Sequence, residues 1–137
     1  MIVPSLTAAY LSILALIYFL LSFRVIGLRR GKKVSLGDGN VSELLTAIRA
    51  HGNFSEYVPI IALLVAALEM TGSSKLLIHA LMGGLVLARI MHPIGLGAVP
   101  GLPRIFLFRF VSVVMTLAIL AASAIAVLRQ FGPALLS

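Results

Sequence analysis

Charged and amide side chains recur at helical spacing within an otherwise apolar part of the sequence. At about 100° per residue, Arg49, Asn53 and Glu56 fall within about 60° of one another on a single helix face. Ionisable residues inside a membrane span cost roughly 2.5 to 3.5 kcal/mol each, so they mark candidate functional sites. Arginine binds carboxylates with a planar fork, a carboxamide donates and accepts, and a carboxylate can hold an ammonium group. This stripe therefore has the chemistry to bind a small zwitterion.

Further ionisable residues fall near the same end of two later apolar segments, namely Arg89, His92, Arg104 and Arg109. Glu56 is the acidic residue near them, and its one carboxylate cannot neutralise four guanidinium groups, those of Arg49, Arg89, Arg104 and Arg109. The excess positive charge indicates an anionic ligand. One alternative remains open: the arginines extend to lipid phosphates at the membrane interface, and Arg49 simply pairs with Glu56.

The sequence gives little support to other chemistries. The chain has no cysteine, so disulfides, thiolate metal sites and a protein thiol nucleophile are excluded. No His-x-x-x-His pair suggests a metal site, and we expect His79 to make an interhelical hydrogen bond instead. Ser112 has no histidine at helical spacing, and no Gly-x-Ser-x-Gly motif occurs. The net charge of +7 does not predict nucleic-acid binding in a chain with so little solvated surface.

The composition predicts that these residues are positioned by membrane-spanning helices. The chain is 61% hydrophobic and only 11% charged, whereas soluble domains are roughly 25% charged. Residues 1–23 and 110–128 carry no charge, and a span needs about 20 apolar residues. We therefore expect an all-α integral membrane four-helix bundle that forms a single domain, residues 1–137. The predicted helices cover about residues 5–28, 41–70, 74–92 and 104–130.

Turn and capping residues define the predicted helix ends. A Gly37-Asp38-Gly39 turn precedes the second helix, where Asn40 is the expected cap and Glu43 completes a capping box. Pro93 is expected to end the third helix.

The distribution of cations predicts the orientation in the membrane. The first loop carries Arg24, Arg29, Arg30, Lys32 and Lys33, whereas the second loop offers only Lys75. By the positive-inside rule the first and third loops are cytoplasmic and both termini lie on the opposite side. The helix halves on that opposite side look purely apolar. Together with the lack of an inverted repeat, this argues against a transporter.

Residues 49–59, which read RAHGNFSEYVP, resemble the second-helix signature of the MAPEG family, membrane-associated proteins in eicosanoid and glutathione metabolism. The Gly-Asp-Gly turn ahead of this segment, the sequence ARIMH that closes the third helix and the arginine that enters the fourth agree with the family pattern. The resemblance covers essentially the whole chain and is stronger to bacterial members.

This resemblance implies a homotrimer that binds glutathione as a co-substrate between subunits at the cytoplasmic face and takes a lipophilic substrate from the bilayer. By position, Arg109 matches the arginine placed near the glutathione sulfur and is the candidate catalytic residue. The candidate glutathione-binding residues are Arg49, His51, Asn53, Glu56, Arg89, Asp38, Arg24 and Arg30, with Arg29 as a further first-loop cation. Helical spacing turns His51 almost directly away from the stripe of Arg49.

The sequence departs from the family pattern at several positions. Leu45 and Thr46 replace a Glu-Arg pair, Leu96 replaces a tyrosine found in several members, and Phe110 replaces a serine. The leading hypothesis is a glutathione-dependent transferase or peroxidase of the bacterial inner membrane with a role in detoxification. The alternative is a non-catalytic membrane protein that binds lipid or glutathione, because the family also contains a binding protein that is not an enzyme.

Overall fold

The computed structural model describes residues 3–135, which form a bundle of four long α-helices. These are α1 (Ser5–Lys32), α2 (Ser42–Met70), α3 (Lys75–Leu96) and α4 (Phe106–Phe131), followed by a 3-10 turn at Gly132–Leu135. Each long helix has the length and apolar composition to cross a membrane. The predicted all-α membrane bundle is confirmed. Residues 1–2 and 136–137 of the expected domain, and with them both chain termini, lie outside the described residues.

The centre of the bundle is an apolar core built mainly from α2 and α3. Ile61 and Val65 of α2 and Met82 and Leu85 of α3 are fully buried, and Leu14 of α1 packs with them. The outer surface is also apolar and carries exposed leucine side chains on all four helices, with exposed phenylalanines on α1 and α4. A core and an outer surface that are both apolar are what a helix bundle dissolved in lipid requires.

The third helix is longer than predicted, because it continues through Pro93 to Leu96. A proline removes only one helical hydrogen bond, and membrane helices tolerate that loss when neighbouring helices support the segment. Pro93 and Gly95 are buried. The helix ends instead at Gly97, whose left-handed backbone (φ 73°) lets its N–H reach the carbonyl of Ile94 at 3.0 Å, with Ala98 N bonded to Pro93 O at 2.8 Å.

The turn before α2 is confirmed, but the predicted capping box is wrong. Asp38 accepts hydrogen bonds from Val41 N at its carbonyl (3.0 Å) and from Asn40 N at its carboxylate (3.1 Å). Asn40 itself has a positive φ of 58°, and the side chain of the N-cap residue, Val41, makes no capping bond. Glu43 instead forms an ion pair with Arg24 of α1. Its carboxylate therefore links α1 to α2 and does not cap the start of α2.

The opposite end of the bundle is not purely apolar, contrary to the sequence-based expectation. Glu69, near the end of α2, is only 7% exposed and caps the start of α1. Its carboxylate accepts from the backbone N–H groups of Leu6 and Thr7, both at 2.8 Å, and from the Thr7 hydroxyl at 2.6 Å. The first N–H groups of a helix lack intrahelical partners and carry partial positive charge, so this carboxylate satisfies and neutralises them.

His79 of α3 makes the interhelical hydrogen bond that was expected of it. The Tyr10 hydroxyl of α1 lies 2.9 Å from His79 Nδ1. This pair and the Glu69 cap tie α1 to both central helices at the end of the bundle away from the arginine cluster.

Candidate functional site

A polar cavity of about 290 Å³ opens where α2, α3 and α4 meet near the first and third loops. Its lining comprises Ile48, Arg49, Gly52, Asn53, Glu56, His92, Leu96, Arg109 and Val113. The helical spacing that places Arg49, Asn53 and Glu56 on one face is thus confirmed, and Arg109 of α4 joins them. A volume near the lower end of the usual range of roughly 300–1,000 Å³ suits a small polar ligand.

Positive charge exceeds negative charge in this lining. Arg49 and Arg109 each contribute a guanidinium group, and Glu56 contributes a carboxylate. Among the described residues no ion pair joins Arg49 to Glu56, and the one side-chain ion pair found is that of Arg24 with Glu43. A direct ion pair between Arg49 and Glu56 is therefore not formed within residues 3–135. These groups can instead contact a ligand with both acidic and basic parts.

Arg89 lies behind the cavity wall and is not part of the lining. It is 1% exposed, and its NH1 donates to the side-chain oxygen of Asn53 at 2.7 Å and to the Asn53 carbonyl at 3.3 Å. Its NH2 donates to the Thr116 hydroxyl of α4. The buried Nε has no hydrogen-bond partner within the described part of the chain. Arg89 therefore joins three helices beneath the site and contacts the cavity only through Asn53.

His92 is a cavity residue that was not among the predicted ligand-binding positions. It is 6% exposed, and its Nδ1 lies 3.2 Å from the Ser112 hydroxyl of α4. Ser112 is fully buried and donates to the Arg109 carbonyl at 2.9 Å, so its hydroxyl connects His92 to the backbone of α4. The sequence signal for His92 was its position one helical turn after Arg89.

Close packing of α3 on α4 fixes the position of Arg109. Gly95 lies against the backbone of Arg109, where an added Cβ would stand 2.2 Å from Arg109 N and 2.7 Å from Arg109 Cα. Only glycine allows this approach. This packing role of Gly95 was not predicted from the sequence, because it depends on how α3 and α4 pack against each other.

The structure does not bring the remaining predicted residues to the cavity. His51 turns toward α1, where its Nε2 lies 3.2 Å from the Ser22 hydroxyl and its ring stacks on Tyr18 at 4.6 Å between centroids. Asp38 belongs to the turn before α2, and Arg24 pairs with Glu43. Arg30 is exposed near the end of α1.

Arg104 also lies outside the cavity lining, in the segment before α4, with its guanidinium carbon 5.9 Å from the centre of the Phe106 ring. Of the four arginines predicted at this depth, Arg49 and Arg109 therefore line the cavity, Arg89 lies behind its wall and Arg104 lies outside it. The ligand-binding role of each predicted residue remains a prediction.

Comparison with known proteins places these features in a family. A sequence model of the MAPEG family matches residues 7–129. The inner membrane protein YecN of Escherichia coli strain K12 is 40% identical over 89 residues, which cover 65% of this chain and 68% of that protein. YecN of Escherichia coli O6:H1 strain CFT073 matches to the same extent. No solved structure matches significantly. Because the family match extends over nearly the whole chain and all four helices are long and apolar enough to cross a membrane, this chain belongs to the MAPEG family of membrane proteins.

Proposed function

We propose that this protein is a membrane-bound glutathione-dependent transferase or peroxidase that acts on a lipophilic electrophile or hydroperoxide. The observation that carries the proposal is the charge imbalance of the polar cavity. Arg49 and Arg109 supply two cations, Glu56 supplies one anion, and Asn53 and His92 add neutral hydrogen-bonding groups. Glutathione has two carboxylates and one ammonium group, so its charges complement those of this lining.

Arg109 is the residue proposed to activate the glutathione thiol. A nearby guanidinium group lowers the pKa of a thiol and increases the fraction of thiolate, which is the reactive nucleophile. In conjugation, the thiolate sulfur forms a bond to an electrophilic carbon while the leaving group departs with its electron pair. Because the nucleophile belongs to glutathione, the chain needs no cysteine.

The same thiolate could reduce a hydroperoxide. The sulfur would attack the terminal peroxide oxygen, the O–O bond would break, and the alkoxide would take a proton to leave as an alcohol. The resulting sulfenic acid of glutathione would react with a second glutathione to give the disulfide and water. Both reactions need the same thiolate, so the cavity alone does not favour one over the other.

The proposed location is the bacterial inner membrane, with the cavity at the cytoplasmic side. The cations clustered toward the end of α1, beside the first loop, support this orientation. The proposed assembly is a homotrimer. Arg49, Glu56 and Arg109 lie in spanning helices and are exposed in a single chain, and exposure of charged groups to lipid is costly. A neighbouring copy would cover these side chains and leave the bilayer side open to a lipophilic substrate.

A non-catalytic glutathione- or lipid-binding protein is the second candidate function. The observation in its favour is Leu96, which lines the cavity where several family members are expected to carry a tyrosine. Leucine offers no hydroxyl group to a thiol. A protein that only binds glutathione needs the same carboxylate and ammonium contacts but no thiolate.

Calorimetric titration of glutathione into the purified full chain in detergent tests the binding proposal. We expect saturable binding that weakens by roughly tenfold or more in Arg49→Ala, because a hydrogen bond to a charged group contributes about 1.5–3 kcal/mol. Arg129→Ala is the matched control, since this arginine is exposed in the last turn of α4, far from the cavity. Correctly folded wild-type protein that shows no saturable binding would contradict the proposal.

A further inference from the structure

Asn53 can face a ligand in two chemically different ways. Its carboxamide oxygen accepts hydrogen bonds, its NH2 group donates two, and a half-turn of the side-chain amide exchanges them. A ligand carboxylate in the cavity would be attracted by the NH2 group and repelled by the oxygen. The orientation of this one amide therefore affects which ligands the cavity accepts.

Arg89 determines that orientation. A guanidinium group only donates hydrogen bonds, and Arg89 NH1 lies 2.7 Å from the amide of Asn53. The atom that faces Arg89 must therefore be the oxygen, since two donors cannot bond to each other. This assignment follows from the chemistry of the pair, even though oxygen and nitrogen of an amide are otherwise hard to tell apart. The NH2 group of Asn53, a cavity-lining residue, is left without a partner among the hydrogen bonds of residues 3–135.

Arg89 is itself held in place by the neighbouring helices. Its NH2 donates to Thr116 Oγ1, and the Thr116 hydroxyl donates in turn to the Ser112 carbonyl at 2.6 Å. The Thr116 oxygen therefore presents lone pairs to Arg89. With the side chain only 1% exposed and also bonded to the Asn53 carbonyl at 3.3 Å, Arg89 has little freedom to release the amide.

We propose that Arg89 is a positioning residue that sets ligand specificity: it holds the Asn53 carboxamide so that the NH2 group faces the cavity as a donor to a ligand carboxylate. The identity of the ligand rests on the proposed function, whereas the orientation of the amide does not. Arg89 thus acts on the ligand through Asn53 and does not touch it.

The first test compares three probes on the purified full chain: glutathione and two analogues in which one or the other carboxylate is a primary amide. We expect wild-type protein to prefer glutathione over one analogue by roughly tenfold or more, the effect of one charged hydrogen bond. In Arg89→Met this preference should fall to about threefold or less, since the amide can then turn. Equal weakening of all three probes, with an unchanged preference, would overturn the proposal.

The second test needs no ligand and compares two substitutions of Asn53. Asn53→Asp keeps an acceptor for Arg89 and removes the NH2 donor, whereas Asn53→Leu removes both. We expect Asn53→Asp to melt at or above the wild-type temperature and Asn53→Leu to melt several degrees lower, while both bind glutathione at least tenfold more weakly.

If Asn53→Asp is destabilised as much as Asn53→Leu, Arg89 does not use the amide oxygen and the proposal fails. If wild-type protein binds none of the three probes, the glutathione proposal fails, and the melting comparison decides whether Arg89 holds the oxygen of the Asn53 amide.

Discussion

Replacing Gly95 with alanine should displace Arg109 from the polar cavity. The new Cβ would stand 2.2 Å from Arg109 N, 2.7 Å from Arg109 Cα and 2.8 Å from Arg109 Cβ. Two of these are backbone atoms, which cannot move aside as a flexible side chain can. To restore a contact of roughly 3.5 Å, the backbone of α4 must retreat by about 1.3 Å. Overpacking of this kind costs about 1–3 kcal/mol of stability.

A shift of this size should affect chemistry more than folding. Displacement of a catalytic group by about 1 Å can reduce turnover by roughly 100-fold. We therefore expect Gly95→Ala to fold with a lowered melting temperature, to retain most of its glutathione affinity and to lose most of its turnover with an electrophilic substrate. Melting is followed by circular dichroism, and affinity and turnover are measured on the same preparation.

Gly31→Ala is the matched control for Gly95→Ala. Gly31 is also a helical glycine, but a Cβ built there meets no atom within 4 Å. Alanine in a helix interior is favoured over glycine by roughly 0.5–1 kcal/mol, so this variant should be as stable as wild type or slightly more stable. Wild-type melting and turnover in Gly95→Ala would refute the argument that close helix packing positions Arg109.

Three further predictions follow from other contacts. Glu69→Gln should lower the free energy of unfolding by about 1–2 kcal/mol, because the cap of α1 loses its charge; unchanged melting would contradict this. Arg109→Ala should reduce turnover more than glutathione affinity, whereas Arg129→Ala should change neither; equal losses of turnover and affinity in Arg109→Ala would refute its assigned role. Arg24→Ala should change stability by roughly 0–1 kcal/mol, since its partner Glu43 is 48% exposed; a double-mutant cycle with Glu43→Ala measures this coupling.

The sequence predicts those parts of the site that depend on helical periodicity. Arg49, Asn53 and Glu56 share a cavity because residues four and three positions apart lie on one helix face. The same geometry separates His51 from them, and the structure confirms that it turns toward α1. These relations are local to one helix, so they need no knowledge of how the helices pack.

The features that sequence reasoning missed depend on contacts between helices. Arg89 shares the depth of the other arginines, yet the packing of Asn53 and Thr116 around it places it behind the cavity wall. Glu69 was overlooked because its partners are backbone N–H groups of α1, which no side-chain pattern reveals. The continuation of α3 through Pro93 likewise depends on packing against neighbouring helices, which a prediction from the proline alone does not take into account.

Activation of the glutathione thiol is tested most directly by an ultraviolet difference spectrum recorded as glutathione is added to the purified protein near neutral pH, together with measurement of proton release. We expect a saturable thiolate band with one proton released for each thiolate formed, and a much weaker band in Arg109→Ala. Bound glutathione that keeps its thiol proton in folded wild-type protein would contradict thiolate activation and would support the non-catalytic binding function instead.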